Sequence, residues 1–239
     1  MKHVGFLSAA FAVFLTAATA SAGPIVPNVT VGPLPAATFG GSGIPNDAVA
    51  VTTAYPGGNT VTLGLTATAR FANLPVANDG SATFFADPGG DILNSAPLYG
   101  RWNFDFYTNQ TGGNYSYELL YDLDPGVGTL ESDLGTVSFA LAGASTFQDS
   151  WNLGFGFLRT GLPGVIPPAY LPAFDPNAAG EYSFALIAMD GSTEIGRAAI
   201  NVNTTPAPEP VPEPASMVLL GSGLAGLVAQ RRKKMASAN

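Results

Sequence analysis

Alternating apolar and polar residues, the pattern of half-buried β-strands, dominate the middle of this chain. Two aromatic stripes follow this period, at Trp102, Phe104 and Phe106 and at Tyr115, Tyr117, Leu119 and Tyr121. The turn-forming run at residues 110–114 separates them. The pattern therefore predicts a β-hairpin with one aromatic face.

Similar but weaker patterns predict strands along the rest of the body. They lie at residues 25–31 (an edge strand), 60–66, 83–85, 136–141, 151–157, 181–189 and 194–202. The last two form a hairpin that turns at residues 190–192. No stretch of the body has a sustained helical period, and Gly and Pro separate the strands. This predicts an all-β fold: a single antiparallel β-sandwich of the immunoglobulin or jelly-roll type.

The N-terminal segment has the pattern of a secretory signal peptide. Lys2 precedes an apolar run at residues 4–18, and the small residues Ala20 and Ala22 occupy the positions that a signal peptidase reads. We therefore predict cleavage after Ala22, with an uncleaved N-terminal anchor as the alternative.

The C-terminal segment has a second apolar run, at residues 215–229, which begins directly after Pro214. As a helix it would reach roughly 22 Å, which is short for a hydrocarbon core of about 30 Å. It is still apolar enough to enter a bilayer, and the cations behind it should stay cytoplasmic. These cations are Arg231, Arg232, Lys233 and Lys234. We predict a single transmembrane helix with a basic stop-transfer cluster; a buried core helix is the alternative.

The order of these C-terminal features resembles the PEP-CTERM sorting signal of Gram-negative, matrix-producing bacteria. Its opening would be the run Val211, Pro212, Glu213 and Pro214. The resemblance implies that a membrane-embedded exosortase recognises this motif and cleaves near it. It also implies an inner-membrane intermediate, followed by delivery to the cell surface or to the exopolysaccharide matrix of a biofilm. The runs at residues 121–125, 149–155, 174–177 and 180–182 make residues 102–202 similar to a body type that such proteins often carry. This similarity points to no particular activity.

The chain is accordingly predicted to have five parts. These are a signal peptide at 1–22, an extended Pro/Gly-rich lead-in at 23–48, the β-sandwich at 49–203, a Pro-rich stalk with the motif at 204–214, and the sorting helix with its basic stop at 215–234. The partners expected from this organisation are signal peptidase, exosortase and, transiently, the inner membrane, with extracellular polysaccharide as a further candidate.

Charge and composition exclude several kinds of function. Residues 23–210 contain four arginines and all of the 17 acidic residues except Glu213, so their formal charge is four minus sixteen, or −12. Such a surface repels nucleic acid, and we expect no binding of DNA or RNA. The chain has no Cys, its single His3 lies in the signal peptide, and the body has no Lys. Catalytic sites built on His, Cys or Lys, and soft-metal sites, are therefore excluded.

Only oxygen ligands remain for a metal site, and the best candidates for calcium are Asp122, Asp124, Glu131 and Asp133. Calcium takes about six to eight oxygens, several of them from carboxylates on a flexible turn. The spacing does not match an EF-hand loop, and an ordinary Asp-Pro-Gly turn that ends a strand is the alternative. No other cofactor is expected.

The leading interpretation is a non-catalytic structural or interaction module, and the alternatives use the same fold. One is a carbohydrate- or calcium-binding module. The other is a glycoside hydrolase, for which Asp105, Glu118 and Asp122 are the carboxylates expected on the outer face of the predicted hairpin. The aromatic stripes could stack on sugars, but their strand period favours the inner faces of the sandwich.

Overall fold

The computed structural model describes residues 23–72, 76–91, 99–169 and 174–204. The predicted signal peptide, most of the stalk and the predicted sorting helix lie outside these residues. Within them, no helix combines the length and the apolar character needed to cross a membrane.

The described residues form twelve strands, one short helix and two single turns of 3₁₀-helix. The strands are β1 (Val31–Gly32), β2 (Val49–Ala54), β3 (Thr60–Ala69), β4 (Ala77–Asn78), β5 (Thr83–Phe85), β6 (Trp102–Thr111), β7 (Ser116–Tyr121), β8 (Gly135–Ala140), β9 (Thr146–Trp151), β10 (Val165–Ile166), β11 (Glu181–Asp190) and β12 (Thr193–Asn203). The helix is α1 (Phe157–Thr160), and the 3₁₀ turns are Pro56–Gly58 and Glu131–Asp133.

These strands form two sheets, which confirms the all-β prediction. The five-stranded sheet has the order β1-β2-β3-β6-β9, and the seven-stranded sheet has the order β10-β8-β7-β11-β12-β5-β4. All neighbours are antiparallel except β5 and β12, which run parallel. The expectation of a purely antiparallel arrangement was therefore wrong. No tight turn joins β5 to β12, so no turn forces the two strands to run in opposite directions.

The predicted hairpin of the two aromatic stripes does not form. β6 pairs with β3 and β9 in one sheet, whereas β7 pairs with β8 and β11 in the other. The connection between them, which includes the left-handed residues Gly112 and Gly113, crosses from one sheet to the other. The aromatic stripes thus lie on different sheets, and the rings of β6 pack against rings of the opposite sheet such as Phe139 and Phe184.

Residues 151–157 were predicted to form a strand, but most of them follow the end of one. β9 ends at Trp151, and the chain then turns and enters α1. Asn152 ends the strand because its side chain binds the main chain of Gly100 and Gly154. The aromatic side chains after it still reach the core, since Phe157 packs on Trp151 with ring centroids 5.0 Å apart.

Other predicted strands agree with the structure. β5 spans residues 83–85 as predicted, and β8 and the β11–β12 hairpin lie within one or two residues of their predicted bounds. Gly191, with φ of 60°, supplies the left-handed residue of the final turn. β2, β4 and β10 were not predicted, and β9 was predicted about five residues too late.

The main core lies between the two sheets, and the aromatic stripes supply its centre. Trp102, Phe104, Phe106, Tyr117, Leu119 and Tyr121 are all buried, which confirms that the stripes are inner faces. Phe104 of β6 stacks on Phe184 of β11 with centroids 4.7 Å apart. Contacts of this kind tie one sheet to the other.

Residues 23–48, which we call the strap, cover the outer faces of both sheets. Ile25 packs on the seven-stranded sheet in a small cluster with Leu120, Leu134, Ala185, Ile187 and Ala199. Phe39 packs on the five-stranded sheet in another cluster with Ala37, Val49 and Tyr107. The Gln148 side-chain oxygen accepts hydrogen bonds from the main-chain N–H groups of Thr38 and Phe39, both at 2.8 Å.

Candidate functional sites

The structure brings three of the four predicted calcium ligands to one cavity. Asp122, Asp124 and Asp133 line a space of about 240 Å³ together with the loop that follows β7, which includes Thr129. Asp122 comes directly after β7, and Asp133 ends the 3₁₀ turn before β8. Because β7 and β8 are paired neighbours, the loop between them returns these carboxylates to the same end of the sheet.

Asp122 is the most constrained of these residues. Its side chain is buried, with 2% of the residue exposed. One carboxyl oxygen accepts the main-chain N–H of Asp124 at 2.9 Å, whereas Oδ2 is buried without a hydrogen-bond partner. Burial raises the pKa of Asp122 to about 6, and nearby N–H and hydroxyl groups limit the rise.

Glu131 is separated from this set by an ion pair. Arg197 of β12 donates to both of its carboxylate oxygens, at 2.9 and 3.0 Å, and also binds Glu194. Within the described ranges, no three acidic, His or Cys side chains lie close enough to ligate one metal ion. The structure thus places Asp122, Asp124 and Asp133 at the cavity, and gives Glu131 a different partner.

Asp105 was expected on an exposed face and is instead fully buried, with no exposed surface. It lies on β6 between Thr66 of β3 and Ser150 of β9, on the face that the strap covers. Neither of its carboxyl oxygens has a hydrogen-bond partner of ordinary geometry. Burial raises the pKa of Asp105 to about 7; the nearby hydroxyls of Ser150 and Thr68 limit the rise, and Asp149 adds to it.

This placement makes the predicted glycosidase arrangement wrong. Asp105 belongs to the five-stranded sheet, whereas Glu118 belongs to β7 of the seven-stranded sheet and Asp122 follows it. The prediction failed because the hairpin on which it rested does not exist. Asp105, fully buried on the other sheet, therefore cannot flank a sugar together with Glu118 or Asp122 as a catalytic pair.

A larger cavity of about 530 Å³ opens on the outer face of the five-stranded sheet, beside Asp105. Thr68, Asn103 and Ser150 line it, and the strap lines the opposite side. Phe71 at its rim is 63% exposed. The guanidinium of Arg70 lies 4.5 Å from the Phe71 ring centroid and forms an ion pair with Asp91 at 3.1 Å.

Asn152 is a fully buried polar residue whose importance was not evident from the sequence. Its Nδ2 group lies within hydrogen-bond distance of the main-chain oxygens of Gly100 and Trp102 and of Asn103 Oδ1, at 2.8–3.0 Å. Its Oδ1 accepts the N–H groups of Gly100 and Gly154, each at 3.0 Å. The amide therefore satisfies buried main-chain groups at the ends of β6 and β9. The only sequence signal was an Asn inside an aromatic stripe, two residues before Gly154.

The fold defines the class of the described part: an all-β body of two sheets that ends at β12, a few residues before the C-terminal features. The family model of the PEP-CTERM protein-sorting motif matches residues 206–233. The chain thus carries a sorting signal of this family, which marks it for processing by an exosortase and for export to the cell surface or beyond. The match does not extend into the body. No curated protein and no solved structure matches the chain.

Proposed function

We propose that this protein is exported, cleaved at its C-terminus by an exosortase, and displayed at the cell surface or in a polysaccharide matrix as a non-catalytic structural or interaction module. The body is a β-sandwich in this proposal, with the strap packed on both outer faces. The observation that carries the proposal is the sorting motif at residues 206–233, which begins just after the body ends.

The junction between body and motif supports this division. Thr204, next to the end of β12, is buried: its N–H donates to the Gly180 oxygen at 2.8 Å and its Oγ1 to the Ala178 oxygen at 3.1 Å. The last hydrogen bonds described for the body are therefore made at Thr204, before the motif begins. Cleavage near Pro214 would remove no residue that the described core uses.

Composition supports a non-catalytic role. After removal of the predicted signal peptide the body contains no His, Cys or Lys, so a nucleophile would lack the usual base. The two carboxyl groups with the most strongly raised pKa values, Asp105 and Asp122, belong to different sheets and cannot act as an acid–base pair.

Replacing Pro212, Glu213 and Pro214 together by alanine should block C-terminal processing, because an exosortase would no longer recognise the substrate. We expect the variant to accumulate in the inner membrane with the cluster at residues 231–234 still attached. The parent should reach the surface without it. Mass spectrometry of the C-terminal peptide from membrane and surface fractions would measure this.

The matched control is Asp47→Asn, which removes one acidic charge from an exposed position of the body, outside the matched region. It should be processed like the parent. An identical surface product from the triple variant and the parent would contradict exosortase sorting.

A carbohydrate-binding role is the second candidate, and the cavity beside Asp105 favours it. An exposed aromatic ring, Phe71, stands next to the polar side chains of Asn103 and Ser150, a combination that suits a sugar ring with apolar and hydroxyl faces. Phe71→Ala should then abolish binding of matrix glycans measured by calorimetry. Tyr55→Ala, at another exposed aromatic residue, should leave it unchanged. Equal heats for the two variants would exclude this site.

A further inference from the structure

We propose that the loop after β7 binds a divalent hard cation of the size of Ca²⁺, with Asp122 and Asp124 as its carboxylate ligands. This inference concerns the body alone and does not depend on the sorting signal. Of the four candidate ligands it keeps two. Glu131 is in an ion pair with Arg197, and Asp133, although it lines the cavity, does not join Asp122 and Asp124 as a third carboxylate close enough to ligate the same ion.

The first observation is the buried, unpartnered oxygen of Asp122. A carboxylate oxygen removed from water without a hydrogen bond is costly, and such groups in proteins are usually neutralised, paired or bound to a metal. Asp122 Oδ2 has no hydrogen bond of ordinary geometry, although the Thr129 hydroxyl lies near the carboxyl group, and Asp122 lines the cavity of about 240 Å³. A cation in this cavity would provide the missing partner.

The second observation is a local excess of negative charge. Asp122, Asp124 and Asp175 all lie near Tyr182 and, after burial, help to raise its pKa to about 12. In the described part of the chain the ion pairs of arginine go elsewhere: Arg70 binds Asp91, and Arg197 binds Glu131 and Glu194. No arginine of the described body therefore forms an ion pair with Asp122 or Asp124.

The loop geometry fixes one oxygen of each carboxylate. Asp122 Oδ1 accepts the N–H of Asp124, and Asp124 Oδ1 accepts the N–H of Gly126, both at 2.9 Å. These bonds hold the two side chains in place. Further oxygens are present in the Thr129 hydroxyl and in the main chain of residues 126–130, which also line the cavity.

The ligand set also sets the expected affinity. Because no three acidic side chains of the described ranges converge on one point, only two carboxylates can bind directly. Main-chain carbonyls and water would complete a shell of about six to eight oxygens. A site with so few charged ligands should have a dissociation constant of roughly 10⁻⁴–10⁻³ M, like the weak calcium sites of extracellular modules.

The rival explanation is that Asp122 is simply protonated and needs no cation. The two explanations predict different behaviour at about pH 8, which is well above the pKa of the Asp122 carboxyl group. At that pH the carboxyl group would have lost its proton, so protonation could no longer explain its burial. A cation site should then be at its strongest, since deprotonated carboxylates are the ligands.

The test is Tb³⁺ luminescence of the full-length protein in detergent at about pH 8, with Tb³⁺ excited through nearby aromatic residues such as Tyr182 and then displaced by Ca²⁺. We expect sensitised emission from the parent that millimolar Ca²⁺ removes, and a rise in melting temperature with Ca²⁺. In Asp122→Asn, binding should weaken at least roughly tenfold, since one of only two carboxylate ligands is lost.

Asp122→Asn should fold, because its amide oxygen can still accept the N–H of Asp124 and a buried charge is removed. The matched control is Asp47→Asn, at an exposed aspartate outside the cavity, which should bind as the parent does. Absence of displaceable emission in the parent would overturn the site. Equal emission and Ca²⁺ affinity in the parent and in Asp122→Asn would show non-specific binding to an acidic surface and overturn it as well.

Discussion

Raising the pH from about 5 to about 8 should destabilise the protein by roughly 3 kcal/mol through Asp105 alone. Asp105 is fully buried and its pKa is raised to about 7, well above the value of 3.8 that it would have in the unfolded chain. The folded state therefore holds a proton that the unfolded state has lost. The stabilisation is complete below about pH 4 and disappears as the pH rises through about 7.

Asp105→Asn should abolish most of this pH dependence. The amide has the same shape and no charge, so its burial costs the same at every pH and the variant should be more stable than the parent at about pH 8. Urea unfolding between about pH 5 and 8, in the presence of a chelator, would measure the free energy of unfolding. The chelator removes calcium, so that Asp122 affects the free energy of unfolding only by gaining or losing a proton.

Asp47→Asn is again the control, because it removes the same charge from the surface. Its stability should follow that of the parent across the pH range. If the Asp105→Asn curve ran parallel to the parent curve, Asp105 would be ionised in the folded state throughout, and the proposed cause of the pH dependence would be wrong.

Asn152→Ala should cost about 3–5 kcal/mol, among the largest effects of a single substitution in this body. Truncation leaves the N–H groups of Gly100 and Gly154 and the oxygens of Gly100 and Trp102 buried without the amide that now binds them. Denaturant unfolding with a spectroscopic probe would measure the loss, and the shift in midpoint should occur without a large change in slope.

Asn109→Ala provides the comparison. This amide on β6 is half-buried and donates to Ser145 O at 3.1 Å and Thr146 Oγ1 at 2.8 Å, but water can replace it. Its loss should cost about 1 kcal/mol or less. Similar costs for the two variants would contradict the role assigned to Asn152.

Periodicity predicted which side chains face inward, but not which strands pair. The inner faces of β6 and β7 were correct because apolar alternation depends only on burial. Their pairing was wrong because a hairpin and a crossover between sheets have the same alternation in sequence. The turn at residues 110–114, with two glycines, is compatible with either connection.

The burial of Asp105 could not be predicted for a related reason. The alternation correctly placed Asp105 on the face of β6 opposite to the one that carries Phe104 and Phe106. We assumed that this face was exposed. The strap covers it, but residues 23–48 showed no periodic pattern, only Pro and Gly with scattered apolar and polar residues. Phe39, the one aromatic residue of this segment, could have indicated such a cover.

The candidate sites also differ in how far the sequence could predict them, depending on whether their residues are close together in the chain. The sorting motif was predicted from its resemblance to a known signal, because that signal is a linear order of residues and needs no folding to be read. Asp122 and Asp124 line one cavity, as their closeness in sequence suggested, and their role as calcium ligands stays a prediction. The ion pair of Glu131 could not be predicted, because its partner, Arg197, is 66 residues away in the chain.

The position of β12 has a mechanical consequence. The chain leaves the body from a strand that is hydrogen bonded to β11 on one side and, near its end, to β5 on the other. A pull on the C-terminal tether would load these two ladders in shear, together with the bonds of Thr204, instead of peeling away an edge strand. While the protein is still anchored, tension from the membrane would thus meet strong resistance, and a protease that extracts its substrates by the tail would have to break the middle of a sheet before it could begin.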